Sequence, residues 1–248
     1  MIFIISTMNE KFSPRDSNLP KKMCVVINQG KSTGLYENEG YAGVIYDAGI
    51  GLSRSRNLGL DFCSKNSFQL PWIISDDDVV YFDSAIDKLM SDRKLLFTGI
   101  NVGQIKCPDG TDFKNYNSSF GLVKHVWNFF GISSVEIIIN DKRTSKVVRF
   151  DENFGLGSSN PFGGEELLYL VNWKAQRSDV FRINLYLGCH PKESTGSQTD
   201  TIGYWITRKN LFKKLFPQIW PLIYFAFKVK KKFNKRSIVH MLQKRINK

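Results

Sequence analysis

Residues 51–78 read GLSRSRNLGLDFCSKNSFQLPWIISDDD. In the first half of this stretch apolar residues recur at helical spacing, which predicts a helix over Leu52–Ser64. The second half contains a short apolar run, Pro71–Ile74, which predicts a buried strand. Three consecutive carboxylates, Asp76, Asp77 and Asp78, follow this strand directly. The stretch therefore predicts a helix, a strand and an acidic strand end in that order.

Apolar runs elsewhere in the chain predict further elements of the same two kinds. The predicted strands are Ile2–Ile5, Cys24–Ile27, Leu95–Ile100, Val135–Ile139 and Ile183–Leu187, and the predicted helices are Phe82–Met90 and Glu165–Lys174. The polar segment Lys31–Gly51 and the glycine-rich segment Asn153–Gly164 predict loops. Strands that alternate with helices are typical of an α/β fold, so we expect a mostly parallel sheet flanked by helices.

Polar side chains follow the first three predicted strands. Thr7 and Asn9 follow the first strand, Asn28 and Gln29 follow the second, and the three aspartates follow the third. Because ligands of parallel α/β sheets bind beyond the carboxyl ends of the strands, these clusters predict a binding site at one edge of the sheet.

The aspartate cluster has two interpretations. Three neighbouring carboxylates repel one another unless a cation lies among them. Mn²⁺ and Mg²⁺ prefer oxygen ligands and commonly share them with substrate phosphates. The alternative is a solvated acidic turn that caps the next helix. The apolar run before the aspartates and the neighbouring polar clusters favour the metal site.

Two further features of the sequence contain residues that could act as a general base or as a metal ligand. Glu165 and Glu166 follow Gly163 and Gly164 at the start of a predicted helix. A carboxylate there is favoured by the helix dipole alone, but it could also serve as a general base. His190 lies at the end of a predicted strand, where it is either a metal ligand or an ordinary loop histidine.

Three segments, in this order and spacing, resemble the family 2 glycosyltransferases, inverting enzymes of the GT-A type that build bacterial capsules and lipopolysaccharides. Residues 2–10, IFIISTMNE, are similar to the family's first strand and loop. Residues 51–78 are similar to its G-x-S-x-x-R-N-x-G-[IL] helix, strand and D-x-D motif. Residues 150–170, FDENFGLGSSNPFGGEELLYL, resemble its acceptor-side segment, which often ends G-G-E-D. The resemblance covers about residues 1–205 and implies a Rossmann-like GT-A fold for nucleotide-diphospho-sugar transfer.

The resemblance implies a set of residues that bind the sugar donor. Thr7 and Asn9 would line the nucleoside pocket, Arg56 would reach the nucleotide, and Asp76 would bind on the ribose side. The full set is Thr7, Asn9, Asn28, Gln29, Arg56, Asp76 and Asp77. Asn28 and Gln29 stand where the family usually has two aspartates, which leaves the donor base open, although a UDP-sugar is expected.

The resemblance also implies the metal ligands and the base. Asp78, with Asp76 and His190, would hold a Mn²⁺ or Mg²⁺ cofactor. Glu166 stands where the family usually has a catalytic aspartate and would be the base, with Glu165 as the fallback. The extra methylene of glutamate places the carboxylate differently, so the acceptor must sit slightly differently too.

The C-terminal part of the chain differs in charge from the rest. The net charge is +12, yet residues 203–248 hold thirteen Lys or Arg and no Asp or Glu, so the remainder has 22 basic against 23 acidic residues. We therefore expect a GT-A domain over residues 1–202 and a basic, aromatic-rich helical extension over 203–248. Segment 211–236 is expected to contact an anionic membrane, and the alternative is a helical hairpin packed on the main domain. Nucleic-acid binding has no support from the rest of the chain.

The four cysteines are scattered, which favours a reducing compartment, and no signal peptide or membrane span is predicted. The main hypothesis is a cytoplasmic enzyme, peripheral on the inner face of the cytoplasmic membrane. It would move a hexose or N-acetylhexosamine to a lipid-linked or cell-surface polysaccharide. The alternatives are a non-catalytic GT-A-like glycan-binding or scaffold module and a different metal enzyme, such as a phosphohydrolase or nucleotidyltransferase.

Overall fold

The computed structural model of the chain describes residues 1–92, 94–116, 120–141, 143, 148–176, 178–191 and 201–231. The described part is a nine-stranded sheet flanked by helices. The strands are β1 (Ile2–Met8), β2 (Cys24–Gln29), β3 (Gly43–Asp47), β4 (Trp72–Asp76), β5 (Val80–Tyr81), β6 (Gly99–Lys106), β7 (Gly121–Leu122), β8 (Ile137–Asn140) and β9 (Val180–Cys189). The α-helices are α1 (Leu52–Lys65), α2 (Asp83–Ser91), α3 (Glu165–Ala175) and α4 (Ile202–Leu215), and a further helix covers residues 220–231.

One half of the sheet is parallel and aligns the predicted strand ends. The strand order is β3-β2-β1-β4-β8-β6-β9-β5, with β7 paired to β9. In the register of β1, Thr7 lies opposite Asn28 of β2, and Ser6 lies opposite Asp76 of β4. The three strands therefore end at the same edge, as the sequence predicts.

The other half of the sheet is mixed rather than parallel. Strand β8 runs antiparallel to both β4 and β6, whereas β6 and β9 are parallel. The sheet has four parallel and four antiparallel pairings among its described strands, so the expectation of a mostly parallel sheet holds for the half that includes β1. A short apolar run does not reveal strand direction, because a strand covered on both faces is apolar throughout in either orientation.

Two element predictions are wrong. Strand β3, Gly43–Asp47, lies within the segment predicted as a loop. Its apolar run is only three residues long, Val44–Tyr46, and lies between glycines and polar residues, which made the segment resemble a loop. The strand predicted at Leu95–Ile100 is β6, which begins at Gly99. Gly99 has φ +125° and a Cβ there would lie 2.3 Å from the carbonyl oxygen of Asp179, so glycine fixes where this strand starts.

The sheet has a hydrophobic core on each face. Alternate residues of β1 point to opposite sides, so Ile4 packs in the core with α1 and α3, whereas Phe3 packs in the core with α2. Helix α1 approaches the sheet closely at Gly59, where a Cβ would lie 2.3 Å from a methyl group of Ile4. This close approach holds the N-terminal half of α1 against the strand ends that form the site.

The described part of the basic extension is a helical hairpin packed on the main domain. Leu211 of α4 is fully buried in the core, and Tyr204, Thr207 and Phe212 are also buried. Helix α4 thus follows the predicted boundary, and its buried side packs on the main domain. No helix in the described ranges combines the length and the apolar composition needed to cross a bilayer. Residues 232–236 of the predicted membrane segment lie outside the described residues.

Candidate active site

A cleft of about 650 Å³ opens beside the carboxyl ends of β1 and β4. Ligand pockets in proteins commonly have volumes of this order. One side is formed by the strand ends and the start of α1, and the other by residues 129–135 and 161–167. Most of the predicted site residues line it: Thr7, Gln29, Arg56, Asp76, Asp77, Asp78, Glu165, Glu166 and His190. The cleft therefore brings together residues that are far apart in the sequence.

Asp77 is the middle member of the aspartate cluster and is held by β1. The Thr7 hydroxyl donates a 2.6 Å hydrogen bond to its Oδ2. Burial and the neighbouring carboxylates of Asp78 and Asp76 raise the pKa of Asp77 above its usual value, although the hydrogen bond from Thr7 opposes this. The carboxylates of Asp76 and Asp78 therefore disfavour a charge on Asp77, the member of the cluster that β1 holds through Thr7.

Asp78 and His190 face each other in the cleft, with Oδ1 and Nε2 3.0 Å apart. Burial alone lowers the pKa of His190, but the hydrogen bond and charge of Asp78 outweigh burial and leave the pKa above its usual value. The other ring nitrogen, Nδ1, lies 2.6 Å from the Pro191 carbonyl oxygen. A proton on Nδ1 would be donated to that carbonyl and would leave Nε2 directed at Asp78.

This pair offers two donor atoms of the kinds that a divalent cation accepts, a carboxylate oxygen and an imidazole nitrogen. The 3.0 Å between Asp78 Oδ1 and His190 Nε2 is the length of an ordinary hydrogen bond. It is also close to the separation of about 3.0 Å between two ligands at right angles around an octahedral ion with bonds of about 2.1 Å. Histidine ligands of metals commonly donate their second ring N–H to a carbonyl, as His190 is placed to do. Among the described residues, no group of three His, Cys, Asp or Glu side chains is placed to hold a metal ion. The predicted third ligand, Asp76, is turned toward Arg56 instead.

Arg56 lies at the centre of the site and is 1% exposed. Its Nη2 donates to Asp76 Oδ1 at 3.2 Å and to Ser134 Oγ at 2.5 Å. Its Nη1 donates to Glu165 Oε1 at 3.4 Å and lies 3.7 Å from Glu166 Oε1. Arg56 therefore connects the aspartate side of the cleft to the glutamate side through its own hydrogen bonds.

Helix α3 presents the two glutamates in its first turn. Gly164, at its N-terminus, has φ +108°, and a Cβ there would lie 2.9 Å from Leu211 of α4. Glu165 is buried, and its Oε2 has no hydrogen-bond partner in the described part of the chain. Burial and the charge of Glu166 raise the pKa of Glu165 to about 7, against the opposing effect of Arg56. The Glu166 side chain is 18% exposed and is the more accessible of the two carboxylates.

The side chains of three predicted donor-binding residues form hydrogen bonds with the loops around them. Asn28 accepts from the Glu10 N–H and donates to the Lys31 carbonyl, and Asn9 accepts from the Lys31 N–H. Neither of these asparagines lines the cleft. Gln29 does line it, but its amide donates to Asp47 at 2.9 Å and accepts from the Gly51 N–H at 3.1 Å. The three amide side chains therefore stabilise the loops next to the strand ends.

Sequence reasoning missed several residues that line the cleft. Phe113 meets the His190 ring edge-on at a centroid distance of 5.2 Å, and Phe130 and Phe162 form part of the opposite wall. Arg208 reaches the cleft from α4 and donates to the Phe162 carbonyl at 3.1 Å. Its position in the basic extension concealed this role, because the composition of that segment indicated a separate unit.

The chain resembles known proteins in its structure but has no match in sequence. No protein-family model matches the chain, and no curated protein matches it in sequence. Among solved structures, it is similar to S. aureus TarS 1–349 in complex with UDP-GlcNAc, with a TM-score of 0.55 and 13% identity over 86% of this chain and 66% of that chain. The same protein in complex with UDP gives a TM-score of 0.53 and 14% identity over 86% and 64%. The chain thus spans slightly less than two thirds of these neighbours. The likeness in structure confirms the predicted GT-A fold.

Proposed function

We propose that this protein is a metal-dependent, inverting glycosyltransferase. It transfers a hexose or N-acetylhexosamine from a nucleoside-diphosphate sugar, with UDP as the first candidate, to a hydroxyl group of a glycan acceptor. The finer assignment, to family 2 enzymes of capsule or lipopolysaccharide synthesis, rests on the sequence motifs. We also propose that the acceptor is a lipid-linked or cell-surface polysaccharide.

One observation carries the proposal. The cleft joins a carboxylate–imidazole pair on one side to an accessible glutamate on the other, with a buried arginine between them. A nucleoside-diphosphate sugar needs a cation for its phosphates and a base for the attacking hydroxyl. The cleft lies at the edge of the sheet where such a ligand would bind, since nucleotides bind α/β sheets beyond the carboxyl ends of the strands.

The proposed chemistry assigns a separate task to each side of the cleft. Glu166 takes the proton of the acceptor hydroxyl as that oxygen forms its bond to the anomeric carbon. The bond between the anomeric carbon and the donor phosphate oxygen breaks in the same step, and the nucleoside diphosphate leaves with the electron pair. Because attack and departure occur on opposite faces of the sugar, the anomeric configuration inverts.

Asp78 and His190 would hold the cation. Mn²⁺ suits this donor set better than Mg²⁺, because one of the two ligands is an imidazole. A bound divalent cation supplies positive charge to the diphosphate as negative charge develops on it. Arg56 lies between the two sides of the cleft and contacts Asp76, Glu165 and Glu166, so we assign it a positioning role.

The test is a binding screen of the purified chain against UDP, GDP, ADP and their sugars, with and without Mn²⁺. It is repeated on Asp78→Ala and on Asp87→Ala, a matched control that removes an exposed carboxylate of α2. We expect one nucleotide to bind in a Mn²⁺-dependent manner, to lose about tenfold or more in affinity in Asp78→Ala, and to be unaffected in Asp87→Ala. Absence of nucleotide binding under every metal condition would refute the transferase proposal and favour a non-catalytic glycan-binding or scaffold module.

A further inference from the structure

The helix over residues 220–231 carries an apolar stripe that no described residue covers. Leu222 and Phe225 are 72% and 68% exposed, and Ile219 and Val229 are 51% and 37% exposed. With 3.6 residues per turn, positions 219, 222, 225 and 229 fall on one side of a helix and its preceding turn. These four residues are called the hairpin stripe below.

The opposite side of the same helix packs on α4. The Tyr224 hydroxyl donates to the Trp205 carbonyl at 3.2 Å, and the Phe227 ring lies edge-on to Trp205 and to Phe212 at centroid distances of 6.2 and 5.3 Å. Since α4 is itself anchored by the buried Leu211, the hairpin is held to the main domain by its inner side. The hairpin stripe consequently points away from the body of the protein.

Positive charge surrounds the hairpin stripe. Helical periodicity places Lys228 and Lys230 on either side of it, and both are exposed. The Lys228 ammonium lies 4.6 Å from the centroid of the Tyr224 ring, at the margin between the stripe and the side that packs on α4. Residues 203–248 contain thirteen Lys or Arg and no Asp or Glu. An apolar stripe between lysines, on a segment without acidic residues, is the arrangement of a helix that lies in the interface of an anionic bilayer.

Aromatic rings connect the hairpin to the wall of the cleft. Phe216, just after α4, stacks on Trp127 at a centroid distance of 5.1 Å, and Trp127 stacks on Phe130 at 5.6 Å. Phe130 lines the cleft, and Trp127 is 56% exposed. An apolar surface therefore runs from Phe216, at the turn between the two helices of the hairpin, to the glutamate side of the cleft.

We propose that the hairpin stripe docks on an anionic phospholipid membrane and that the Trp127 side of the cleft faces this membrane. The charge favours lipid over a second copy of the chain, because two basic extensions would repel each other. The docking surface does not depend on the transferase reaction. Its consequence, that a lipid-linked acceptor enters past Trp127, rests on the proposed function.

The test measures binding of the full chain to vesicles of phosphatidylcholine alone and of phosphatidylcholine mixed with phosphatidylglycerol. The variant Leu222→Ser/Phe225→Ser removes two exposed apolar side chains without changing the charge. The matched control, Leu35→Ser/Met90→Ser, removes two apolar side chains that are 56% and 60% exposed elsewhere on the surface. We expect binding to the anionic vesicles only, reduced about a hundredfold in the stripe variant and unchanged in the control.

A second variant and a second readout complete the test. Lys228→Gln/Lys230→Gln should weaken binding to anionic vesicles about thirtyfold, since each lysine near such a surface contributes about 1 kcal/mol. Brominated lipids should quench the tryptophan fluorescence of the wild type more than that of Trp127→Phe.

Failure of the wild type to bind anionic vesicles, or equal losses in the stripe variant and its control, would overturn the proposal. Loss of a dimer in the stripe variant would assign the surface to a second copy instead. Nucleotide binding, measured on the same samples in solution, reports on the proposed function separately.

Discussion

The buried carboxyl group of Glu165 should make the stability of this protein depend on pH, and Glu165→Gln should remove that dependence. Glu165 is 4% exposed and lies between the charges of Arg56 and Glu166. Glutamine has nearly the same shape and stays neutral at every pH. The substitution therefore isolates the free energy of ionising this one buried group.

The magnitude follows from the two pKa values of the carboxyl. In the unfolded chain Glu165 ionises near 4.5, whereas in the folded protein it keeps its proton to about 7. Between these values the folded state binds more protons than the unfolded state, so the free energy of unfolding falls as the pH rises. A difference of about 2.5 in pKa corresponds to about 3 kcal/mol, present below about pH 4.5 and lost as the pH passes about 7.

The assay is urea unfolding of the wild type and of Glu165→Gln, followed by tryptophan fluorescence at several pH values between about 4.5 and 8. The difference in free energy of unfolding should shift by about 3 kcal/mol across this range, in favour of the glutamine variant at the alkaline end. Glu37→Gln, which changes an exposed carboxylate, should follow the wild type. A difference between wild type and Glu165→Gln that stays constant with pH would refute the reasoning.

Two further predictions concern the start of α3. Glu166→Gln should lower the transfer rate about a hundredfold or more while nucleotide binding is retained, because it removes the proposed base but no donor contact; a change confined to the acceptor KM, measured by steady-state kinetics, would contradict the role. Gly164→Ala should lower the free energy of unfolding by roughly 2 kcal/mol, because it combines a φ of +108° with a Cβ 2.9 Å from Leu211. The comparison is Gly110→Ala, at φ +82° with no atom within 4 Å of the added Cβ, which should cost roughly 1 kcal/mol; equal losses in denaturant unfolding would count against the close contact.

The sequence predicts the half of the sheet that forms the cleft floor. Runs such as Ile2–Ile5 and Pro71–Ile74 are apolar throughout because strands β1 and β4 are covered on both faces, and the polar residues that follow mark the common edge. The motif around Arg56 and the aspartates gives the order of the elements. Buried parallel strands and their ends are strong signals, because each depends on only a few consecutive residues.

Other parts of the site depend on contacts that no local pattern reports. Strand β3 is half-buried, and its apolar run of three residues, Val44–Tyr46, is too short to stand out from the polar segment around it. Asp47 at its end nevertheless accepts a hydrogen bond from Gln29. Arg208 reaches the cleft only because Leu211 anchors α4 in the core. The charge of the extension predicts a boundary near residue 203, but charge alone does not report that one face of α4, beyond this boundary, packs against the main domain.

The arrangement around Arg56 also distinguishes Asp76 from Asp78 as proposed ligands of a cation. Its Nη2 is shared between Asp76 and Ser134, and its Nη1 faces both glutamates. A fully buried guanidinium with carboxylates on two sides is fixed by its planar fork, which a lysine ammonium does not reproduce. Asp76 is thereby committed to Arg56, which leaves Asp78 as the member of the cluster that faces the cleft with His190. Under the proposed function, the same arginine that orients the glutamate side therefore favours Asp78 over Asp76 as the ligand of the cation, and the two sides of the cleft are linked through Arg56.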